Sequence, residues 1–497
     1  MIEFLLHNEV VQIEPEQADL TVLEYLREHR QLCGTKEGCA SGDCGACTVV
    51  LAEANGADVR YHSCNSCITF LGSIHGKQLI TVEHLKENLA KDHLAKERPA
   101  KENHALHPVQ QAMVDHHGSQ CGFCTPGFVM SLFALYKNSV AGASIEQRKK
   151  ATEQYLGGNL CRCTGYKPII DAAVESTAAP APDRFSALES ETRRKLARIA
   201  KSAKSTKAGT ENYHLPKTCA QLGRLVARRP EARLLGGGTD LALEVTQQLK
   251  SIDPIIYVGN VAELVKITAR KNHHEIGAAV SLSDFDDLVK NDYPDLSHLL
   301  LRFGSRQIRN LATVGGNIAN ASPIGDLPPA LIALGAEVML QSETHRRKVK
   351  MDEFFIDYRK TVLAKGEFIR AVTMPRAQPG RKLKIYKISK RFDDDISAVC
   401  MAVYIHVHAG MIKSIRIACG GMAAIPKRAV ECENALCGKP LDENTIAQAQ
   451  QALARDFQPI DDVRASAGYR MQVAQNLLTR LRLELTEPAT LTQVIQG

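Results

Sequence analysis

Long apolar runs are missing from this sequence of 497 residues. No stretch approaches the roughly 18 consecutive apolar residues of a membrane-spanning helix, so we expect no membrane segment. Tryptophan is absent too, and the mild net charge of +7 is not arranged as a basic surface interleaved with aromatic side chains. That pattern argues against a nucleic-acid partner.

A secretion signal is not expected either, because Met1–Asn8 has an early acid and a very short apolar core. The chain has 15 cysteines. Without a signal they indicate a reducing compartment, so we expect a cytoplasmic protein. Its cysteines are then metal ligands or small buried residues. Internal repeats are also lacking, and the length predicts about three or four domains.

The N-terminal region has a tight group of cysteines: Cys39, Cys44 and Cys47. Their Cys-x4-Cys-x2-Cys spacing is typical of a plant-type [2Fe-2S] cluster, whereas zinc sites usually show paired CxxC units. Glycines between them allow the loop to approach a cluster closely. Spacing alone leaves both Cys64 and Cys67 open as the fourth ligand.

A second group of cysteines follows as a CxxC and a CxC pair: Cys121, Cys124, Cys161 and Cys163. Each pair stands where a helix is expected to begin, and helix N-termini favour anionic thiolates. A zinc site or a redox CxxC is the alternative, but CxC is tight for tetrahedral zinc. We therefore predict a second [2Fe-2S] cluster.

The elements around the first group predict a β-grasp domain. Strands are expected at Ile2–Leu6, Val10–Ile13, Thr48–Leu51 and Gln78–Val82. Asp19 is expected to be the N-cap of a helix whose apolar residues recur at threefold spacing: Leu20, Leu23 and Leu26. We interpret residues 83–110 as a polar, helix-rich connector. The Ala/Pro- and Lys/Arg-rich residues 173–211 read as a linker with a short helix at 186–202.

Two glycine-rich stretches mark the cysteine-poor region, one at Leu234–Leu241 and one at Ala312–Asp326. Alone, either is also consistent with a tight turn, and neither is a GxGxxG that opens a βαβ unit. Two such stretches downstream of iron–sulfur ligands favour a flavin dinucleotide. Further along, the charged run Lys390–Asp395 is either a solvated loop or a mobile loop over the flavin.

These motifs resemble those of the molybdenum hydroxylases. The resemblance is carried by GCASGDCGAC with Asn65-Ser-Cys67, by QCGFCTPG and by GNLCRCTGY. LLGGGTDL and ATVGGNIANASPIGDLPPA resemble the FAD domain of the same family. The resemblance covers nearly the whole chain, in the order iron–sulfur then FAD, without a molybdenum part.

The resemblance implies an α+β multidomain fold with an FAD-binding part of the PCMH/vanillyl-alcohol-oxidase type. The implied domains are a ferredoxin-like β-grasp domain (1–84), a four-helix [2Fe-2S] domain (85–172), a linker (173–211), an FAD-binding domain (212–378) and a C-terminal α+β domain (382–497). It also selects Cys67 over Cys64 as the fourth ligand of the first cluster, and puts Gln120 near the pterin of a partner.

The resemblance further implies the FAD contacts, which are Leu235, Gly236, Gly237, Gly238, Thr239, Asp240, Leu241, Phe303, Thr313, Gly316, Asn317, Asp326 and Lys387. Phe303 is expected against the isoalloxazine ring, and Arg391–Asp395 resembles a loop that modulates NAD access. One departure is that the first glycine loop ends in Asp240, where the family often has glutamate, so the acid is retained.

The implied function is electron transfer. Electrons from a purine, oxidised on a separate molybdopterin-binding large subunit, would pass through two [2Fe-2S] clusters and FAD to NAD. Two copies of each subunit are expected. No general acid or base is needed, so no catalytic residue is nominated. A subunit of another hydroxylase, for aldehydes or N-heterocycles, and a pure electron carrier remain alternatives.

Overall fold

The computed structural model describes residues 1–85, 106–139, 142–202, 212–487 and 489–492. It divides the chain into two compact units. The first comprises Met1–Leu215, Glu231–Gly259 and Ser305–Ala312. The second comprises Pro216–Pro230, Asn260–Gly304 and Thr313–Gly497.

The first unit begins with a five-stranded sheet. Its elements are β1 (Ile2–Leu6), β2 (Glu9–Ile13), α1 (Val22–Glu24), β3 (Thr48–Asn55), β4 (Asp58–Asn65) and β5 (Gln78–Ile80). The strand order is β2-β1-β5-β3-β4, with β1 and β5 parallel and the other pairs antiparallel. The predicted β-grasp fold is therefore confirmed.

The helix after β2 begins later than the sequence suggested. Thr21, and not Asp19, is the N-cap of α1, because its side chain accepts a hydrogen bond from Glu24 N at 3.1 Å. A π-helical turn, Tyr25–His29, continues the element. Leu23 and Leu26 are buried in the hydrophobic core, as their spacing predicts, and Leu20 packs against it partly buried.

Helices follow in the described residues 106–139 and 142–176. They are α2 (Pro108–Asp115), α3 (Thr125–Lys137), α4 (Ile145–Leu156) and α5 (Lys167–Ser176). Ten consecutive residues of α3 are buried, from Gly127 to Tyr136, so this apolar helix is the centre of the group. The four-helix arrangement that the resemblance implied is present.

The predicted connector and linker are only partly within the described residues, because 86–105 and 203–211 lie outside them. The described part of the linker forms α6 (Arg184–Ala187) and α7 (Glu189–Ser202). Asp183 caps α6 and binds both His107, at 3.2 Å, and Lys137, at 2.9 Å. This part of the linker is thus anchored to α3 and to the N-cap of α2.

The rest of the first unit comes from the region of the glycine-rich stretches. Its elements are β6 (Tyr213–His214), β7 (Arg233–Leu235), α9 (Ala242–Thr246), β8 (Ile255–Tyr257) and α12 (Arg306–Leu311). The three strands form a parallel sheet in the order β6-β8-β7.

The second unit contains two larger sheets. The first is β12-β11-β15-β10-β9, built from β9 (Ile267–Ala269), β10 (His273–Gly277), β11 (Glu337–Gln341), β12 (Arg346–Lys350) and β15 (Phe368–Pro375). The other is β16-β17-β18-β19, built from β16 (Arg381–Ile388), β17 (Val399–His408), β18 (Met411–Gly420) and β19 (Lys427–Arg428). A short hairpin pairs β13 (Phe355–Asp357) with β14 (Lys360–Thr361).

The second unit also contains nine helices among its described residues. They are α8 (Cys219–Arg228), α10 (Leu282–Val289), α11 (Pro294–Leu301), α13 (Val314–Ala319), α14 (Leu327–Leu334), α15 (Met351–Phe354), α16 (Val430–Leu436), α17 (Glu443–Asp456) and α18 (Ala467–Thr486). The predicted domain boundaries stay predictions, since the region 212–378 contributes to both units. Across the described ranges, every helix is too short or too polar to cross a membrane.

Candidate iron–sulfur and flavin sites

The first cysteine group converges in the β-grasp part. The Sγ atoms of Cys47 and Cys67 are 3.2 Å apart, and both residues are buried. The Cys39 thiol is hydrogen-bonded to Cys44 and to Cys67. The structure thus brings together the four thiols that were predicted as ligands.

Cys64, the competing candidate, has a different environment. It pairs with Val49 in the β3–β4 ladder, is fully buried, and its thiol hydrogen-bonds with Thr69. Burial raises the pKa of the Cys64 thiol to about 12. The geometry therefore favours Cys67 as the fourth ligand.

Hydrogen-bond donors point at the sulfur atoms of this group. The backbone amides of Ser41 and Asp43 lie 3.5 and 3.3 Å from Cys39 Sγ. The Asn65 side-chain amide lies 3.8 Å from Cys47 Sγ. Donors of this kind stabilise anionic sulfur and tune a cluster's potential.

The thiols divide into acidic and less acidic members. A hydrogen bond from Cys44 lowers the pKa of Cys39, and one from Cys67 lowers the pKa of Cys47. The contact with Cys39 raises the pKa of Cys44, and the contacts with Cys39 and Cys47 raise that of Cys67. When a cluster binds, these four thiols would lose their protons and bind the irons as thiolates.

The second cysteine group lies at the starts of α3 and α5. Cys124 is the N-cap residue of α3, and its thiol hydrogen-bonds with Cys161. The Cys163 thiol hydrogen-bonds with Cys121, and both residues are exposed. The four residues thus meet as two contacting pairs.

The local environment separates Cys124 and Cys161, the two half-buried members of this group. Burial raises the pKa of Cys124 to about 12. Burial acts in the same direction on Cys161, but hydrogen bonds from Thr164, Cys163 and Cys124 together outweigh it and lower that pKa. The Thr164 hydroxyl lies 3.1 Å from Cys161 Sγ. Sequence reasoning did not single out Thr164.

The residues present fit two-iron clusters better than a single ion. Thiols that meet in pairs suit a [2Fe-2S] cluster, which takes four cysteines between two irons. The sulfur-directed amides fit the same group.

The first glycine-rich stretch lies in the first unit, between β7 and α9. Gly238 has φ of +74°, a conformation that favours glycine. A Cβ placed on Gly237 would lie 1.8 Å from Leu311 O, so only glycine fits there. Such a turn presents backbone amides, as a pyrophosphate site requires.

The second stretch lies in the second unit and forms the start of α13. Thr313 is its N-cap and accepts a hydrogen bond from Gly316 N at 3.1 Å. Asn317 Oδ1 is buried and has no hydrogen-bond partner. A buried polar atom without a partner is expected to bind a ligand, which fits the predicted FAD contact.

Asp326 and Lys387 form a buried ion pair in the second unit, with 2.6 Å between Nζ and Oδ2. The Ser397 hydroxyl donates to the other carboxylate oxygen of Asp326 at 2.5 Å. Both predicted residues therefore meet, and Ser397 is an additional partner that no sequence motif marked.

The predicted loop Arg391–Asp395 is held at both ends. Asp395 accepts a hydrogen bond from Arg391 N at 2.8 Å. The Arg302 guanidinium donates to Phe392 O at 2.9 Å and to Lys387 O at 3.1 Å. It also lies 4.2 Å from the centre of the Phe392 ring. Arg302 adjoins the half-buried Phe303 in the chain, so the loop and this flavin candidate belong to one neighbourhood.

Four family models match the chain in order. Their descriptions are "2Fe-2S iron-sulfur cluster binding domain" for residues 6–72, "[2Fe-2S] binding domain" for 93–174, "FAD binding domain in molybdopterin dehydrogenase" for 204–377 and "CO dehydrogenase flavoprotein C-terminal domain" for 384–485. The chain therefore carries two [2Fe-2S]-binding domains and an FAD-binding domain, which confirms the predicted cofactors.

Full-length relatives point the same way. The chain is 32% identical to xanthine dehydrogenase of Emericella nidulans over 92% of its length, and 31% identical to that of Oryza sativa over 88%. It spans only 36% of the length of each of these relatives. The match thus concerns one part of a longer protein.

Solved structures extend the likeness. Carbon monoxide dehydrogenase from Hydrogenophaga pseudoflava aligns with a TM-score of 0.52 and 27% identity, covering 55% of this chain and 96% of that one. Quinoline 2-oxidoreductase from Pseudomonas putida 86 aligns with a TM-score of 0.52 and 25% identity, covering 57% and 99%.

The domains and relatives together define an oxidoreductase of the iron–sulfur flavoprotein type. This chain belongs to the molybdenum hydroxylase family, and it carries the family's iron–sulfur and FAD-binding domains.

Proposed function

We propose that this chain is the electron-transfer and NAD-reducing subunit of a xanthine dehydrogenase. Its partner would be a molybdopterin-binding large subunit that oxidises hypoxanthine or xanthine to urate. The observation that carries the proposal is the likeness to xanthine dehydrogenases over about nine-tenths of the chain. We propose an assembly with two copies of each subunit. We propose that the complex lies in the cytoplasm, because none of the cysteines of this chain, all of which lie within the described ranges, forms a disulfide bond.

When bound, the two clusters would carry single electrons and FAD would collect two of them for hydride transfer to NAD. The chain's own residues hold these groups and set their surroundings. Cys39, Cys44, Cys47 and Cys67 would hold one cluster, and Cys121, Cys124, Cys161 and Cys163 the other. Backbone amides and Thr164 would donate hydrogen bonds to the sulfurs.

The residues around the second cysteine group support the proposed partner. Cys121 and Cys163 are exposed, and the apolar neighbours Phe123 and Leu160 are 49% and 55% exposed. Apolar side chains grouped on a surface favour a protein partner. We propose that the molybdopterin-binding subunit covers this surface and that Gln120 lies near its pterin.

The proposed reduction of NAD depends on the loop Arg391–Asp395. Arg302 ties Phe392 and Lys387 together through their carbonyl oxygens. We propose that this arginine sets the position of the loop and so the access of NAD to the flavin.

Co-purification tests the proposal. The chain is co-expressed with a candidate molybdopterin-binding large subunit from the same organism, and the molybdenum, iron and FAD of the purified complex are measured. NAD reduction with xanthine supports the proposal. A complex that reduces no NAD with xanthine but oxidises another substrate contradicts it.

A matched variant tests the direction of electron flow. Cys121→Ser should stop NAD reduction by xanthine but leave NADH oxidation by ferricyanide intact. The first reaction needs the second cluster, whereas the other needs only the flavin end. The matched control is Cys437→Ser, an exposed cysteine outside both groups, which should change neither reaction.

A second candidate is the corresponding subunit of another molybdenum hydroxylase. It is favoured by the structural likeness to carbon monoxide dehydrogenase and quinoline 2-oxidoreductase. Carbon monoxide and quinoline are therefore the first substrates to try beside xanthine in the same assay.

A further inference from the structure

The two predicted ligand loops are in direct contact within the first unit. The backbone amide of Leu160 donates a hydrogen bond to Cys44 O at 3.0 Å. Cys44 belongs to the first cysteine group, and Leu160 is bonded to Cys161 of the second. One hydrogen bond and a few covalent bonds therefore connect a ligand of one site to a ligand of the other.

Glycines allow this contact. A Cβ placed on Gly45 would lie 2.2 Å from Gly158 O, and one placed on Gly127 would lie 2.2 Å from Gly45 O. No side chain therefore separates the backbones of the two loops at this point. Electron tunnelling is faster through packed atoms and hydrogen bonds than across a gap, so the contact suits electron exchange.

Asn159 makes a second link between the loops. Its Nδ2 donates to Gly45 O at 3.0 Å and lies 3.3 Å from Thr48 Oγ1. Its Oδ1 accepts a hydrogen bond from Ser131 Oγ at 2.6 Å. The residue is only 2% exposed, so water does not compete for these contacts.

Gln307 fixes the orientation of Asn159. Gln307 Nε2 donates to Asn159 Oδ1 at 2.9 Å and to Ser131 Oγ at 3.2 Å. Gln307 is fully buried, and its Oε1 has no partner, so only the amino half of the amide makes hydrogen bonds. Two donors on Oδ1 keep the Asn159 amino group turned towards Gly45. In the flipped orientation, Oδ1 would face the Gly45 carbonyl and repel it.

We propose that Gln307 is a positioning residue for electron exchange between the two iron–sulfur sites. It acts through Asn159, whose fixed orientation holds the two ligand loops at hydrogen-bond distance. The inference rests on the proposed electron-transfer function. In the step concerned, the second site loses one electron and the first gains it, with no proton or other reactant.

The experiment uses the purified full chain with both clusters. Flash photoreduction with a deazaflavin injects one electron, and freeze-quench EPR follows which of the two clusters holds it over time. Gln307→Met keeps the side-chain length and removes the donor, and Gln307→Glu keeps the shape and removes the donor. Asn310→Ala is the control, because it removes one hydrogen bond of the same helix, to Ser63 O.

We expect electron exchange to be roughly tenfold slower in both Gln307 variants, the usual scale for loss of an outer-shell partner of a metal site. The iron count should remain that of the unmodified chain, and Asn310→Ala should keep the normal rate. An unchanged rate in an iron-replete Gln307 variant overturns the proposal, and so does equal slowing in the control. Loss of iron in both Gln307 variants, with the control intact, also overturns it, because the role is then structural.

The test is independent of the substrate. An unmodified chain with both EPR signals that forms no xanthine-oxidising complex would contradict the proposed function but leave this inference standing. Normal xanthine-dependent NAD reduction by the unmodified complex, together with normal electron exchange in the Gln307 variants, would contradict this inference but leave the proposed function standing.

Discussion

Lys387 donates a hydrogen bond to the Asp326 carboxylate at 2.6 Å, and both side chains are buried. Ser397 binds the second carboxylate oxygen. Asp326 therefore has a partner on each oxygen, and the pair offers a carboxylate of fixed position at the start of α14. Such a group is suited to orient a bound ligand.

Lys387→Met should destabilise the chain strongly, because it leaves a buried carboxylate without its counter-charge. We expect a loss of roughly 3–5 kcal/mol in the free energy of unfolding, measured by urea denaturation. The double variant Asp326→Asn/Lys387→Met should recover much of it. Lys360→Met is the control: its ion pair with Asp357 spans 3.7 Å between exposed side chains. In that control, the free energy of unfolding should fall by less than about 1 kcal/mol. Equal losses in the two single variants would contradict the argument.

Gly45→Ala should prevent the assembly of both clusters. The new Cβ would lie 2.2 Å from Gly158 O and would push the two ligand loops apart. Gly56→Ala is the matched control, since Gly56 also has a positive φ, +60°, but has open space around it. We expect iron content to fall well below half in Gly45→Ala and to stay normal in Gly56→Ala. Normal iron in both variants would show that the loops can separate without loss.

Thr164→Val should lower the midpoint potential of the second cluster. Its hydroxyl lies 3.1 Å from Cys161 Sγ, and a donor to sulfur favours the more negative, reduced form. Loss of one hydrogen bond corresponds to roughly 20–60 mV for a one-electron couple. An EPR-monitored redox titration measures the shift. Thr177→Val, which removes a buried hydroxyl bonded to Ala173 O, should leave the potential unchanged; a rise in potential in Thr164→Val would refute this role.

The stability of the first unit should fall as the pH drops below about 6.5. The rings of His7 and His84 are stacked 3.5 Å apart. Burial lowers the pKa of His7 to about 4 and that of His84 to about 2. The folded state therefore binds fewer protons than the unfolded state below pH 6.5, and its stability declines until the folded pKa of each residue is reached.

The variant His84→Phe keeps the stack without a titrating ring. Between pH 7 and pH 5, it should lose about 1–2 kcal/mol less of unfolding free energy than the unmodified chain. Urea denaturation at the two pH values measures the difference. His29→Gln, which replaces an exposed histidine, is the control and should behave like the unmodified chain. The prediction fails if His84→Phe declines as steeply as the unmodified chain.

The sequence was most informative where a motif is local. The cysteine spacings and the strand patterns of β1, β2 and β3 depend on neighbouring residues, so the β-grasp part and the two thiol groups were predictable. The start of α1 was misjudged, because Asp19 and Thr21 are both good N-caps and only the tertiary packing decides between them. The competition between Cys64 and Cys67 was decided by geometry that spacing does not contain.

The contacts made by Asn159, Gln307 and Ser397 were beyond sequence reasoning. Gln307 is 148 residues from Asn159 in the chain, and Ser397 is 71 residues from Asp326. Single polar residues at such separations carry no periodicity or spacing signal. They become visible only when burial and hydrogen bonds are known, because a buried amide must find a partner.

The helix α12 limits how the chain can be divided. Within its six residues, Gln307 donates a hydrogen bond to Asn159, and the carbonyl oxygen of Leu311 lies close to Gly237. A fragment that ends after the iron–sulfur motifs would lack this helix and leave the buried amide of Asn159 short of a donor. The iron–sulfur part is continuous in sequence but incomplete as an excised module, so a gene fusion that transplants it should carry residues 305–312 as well.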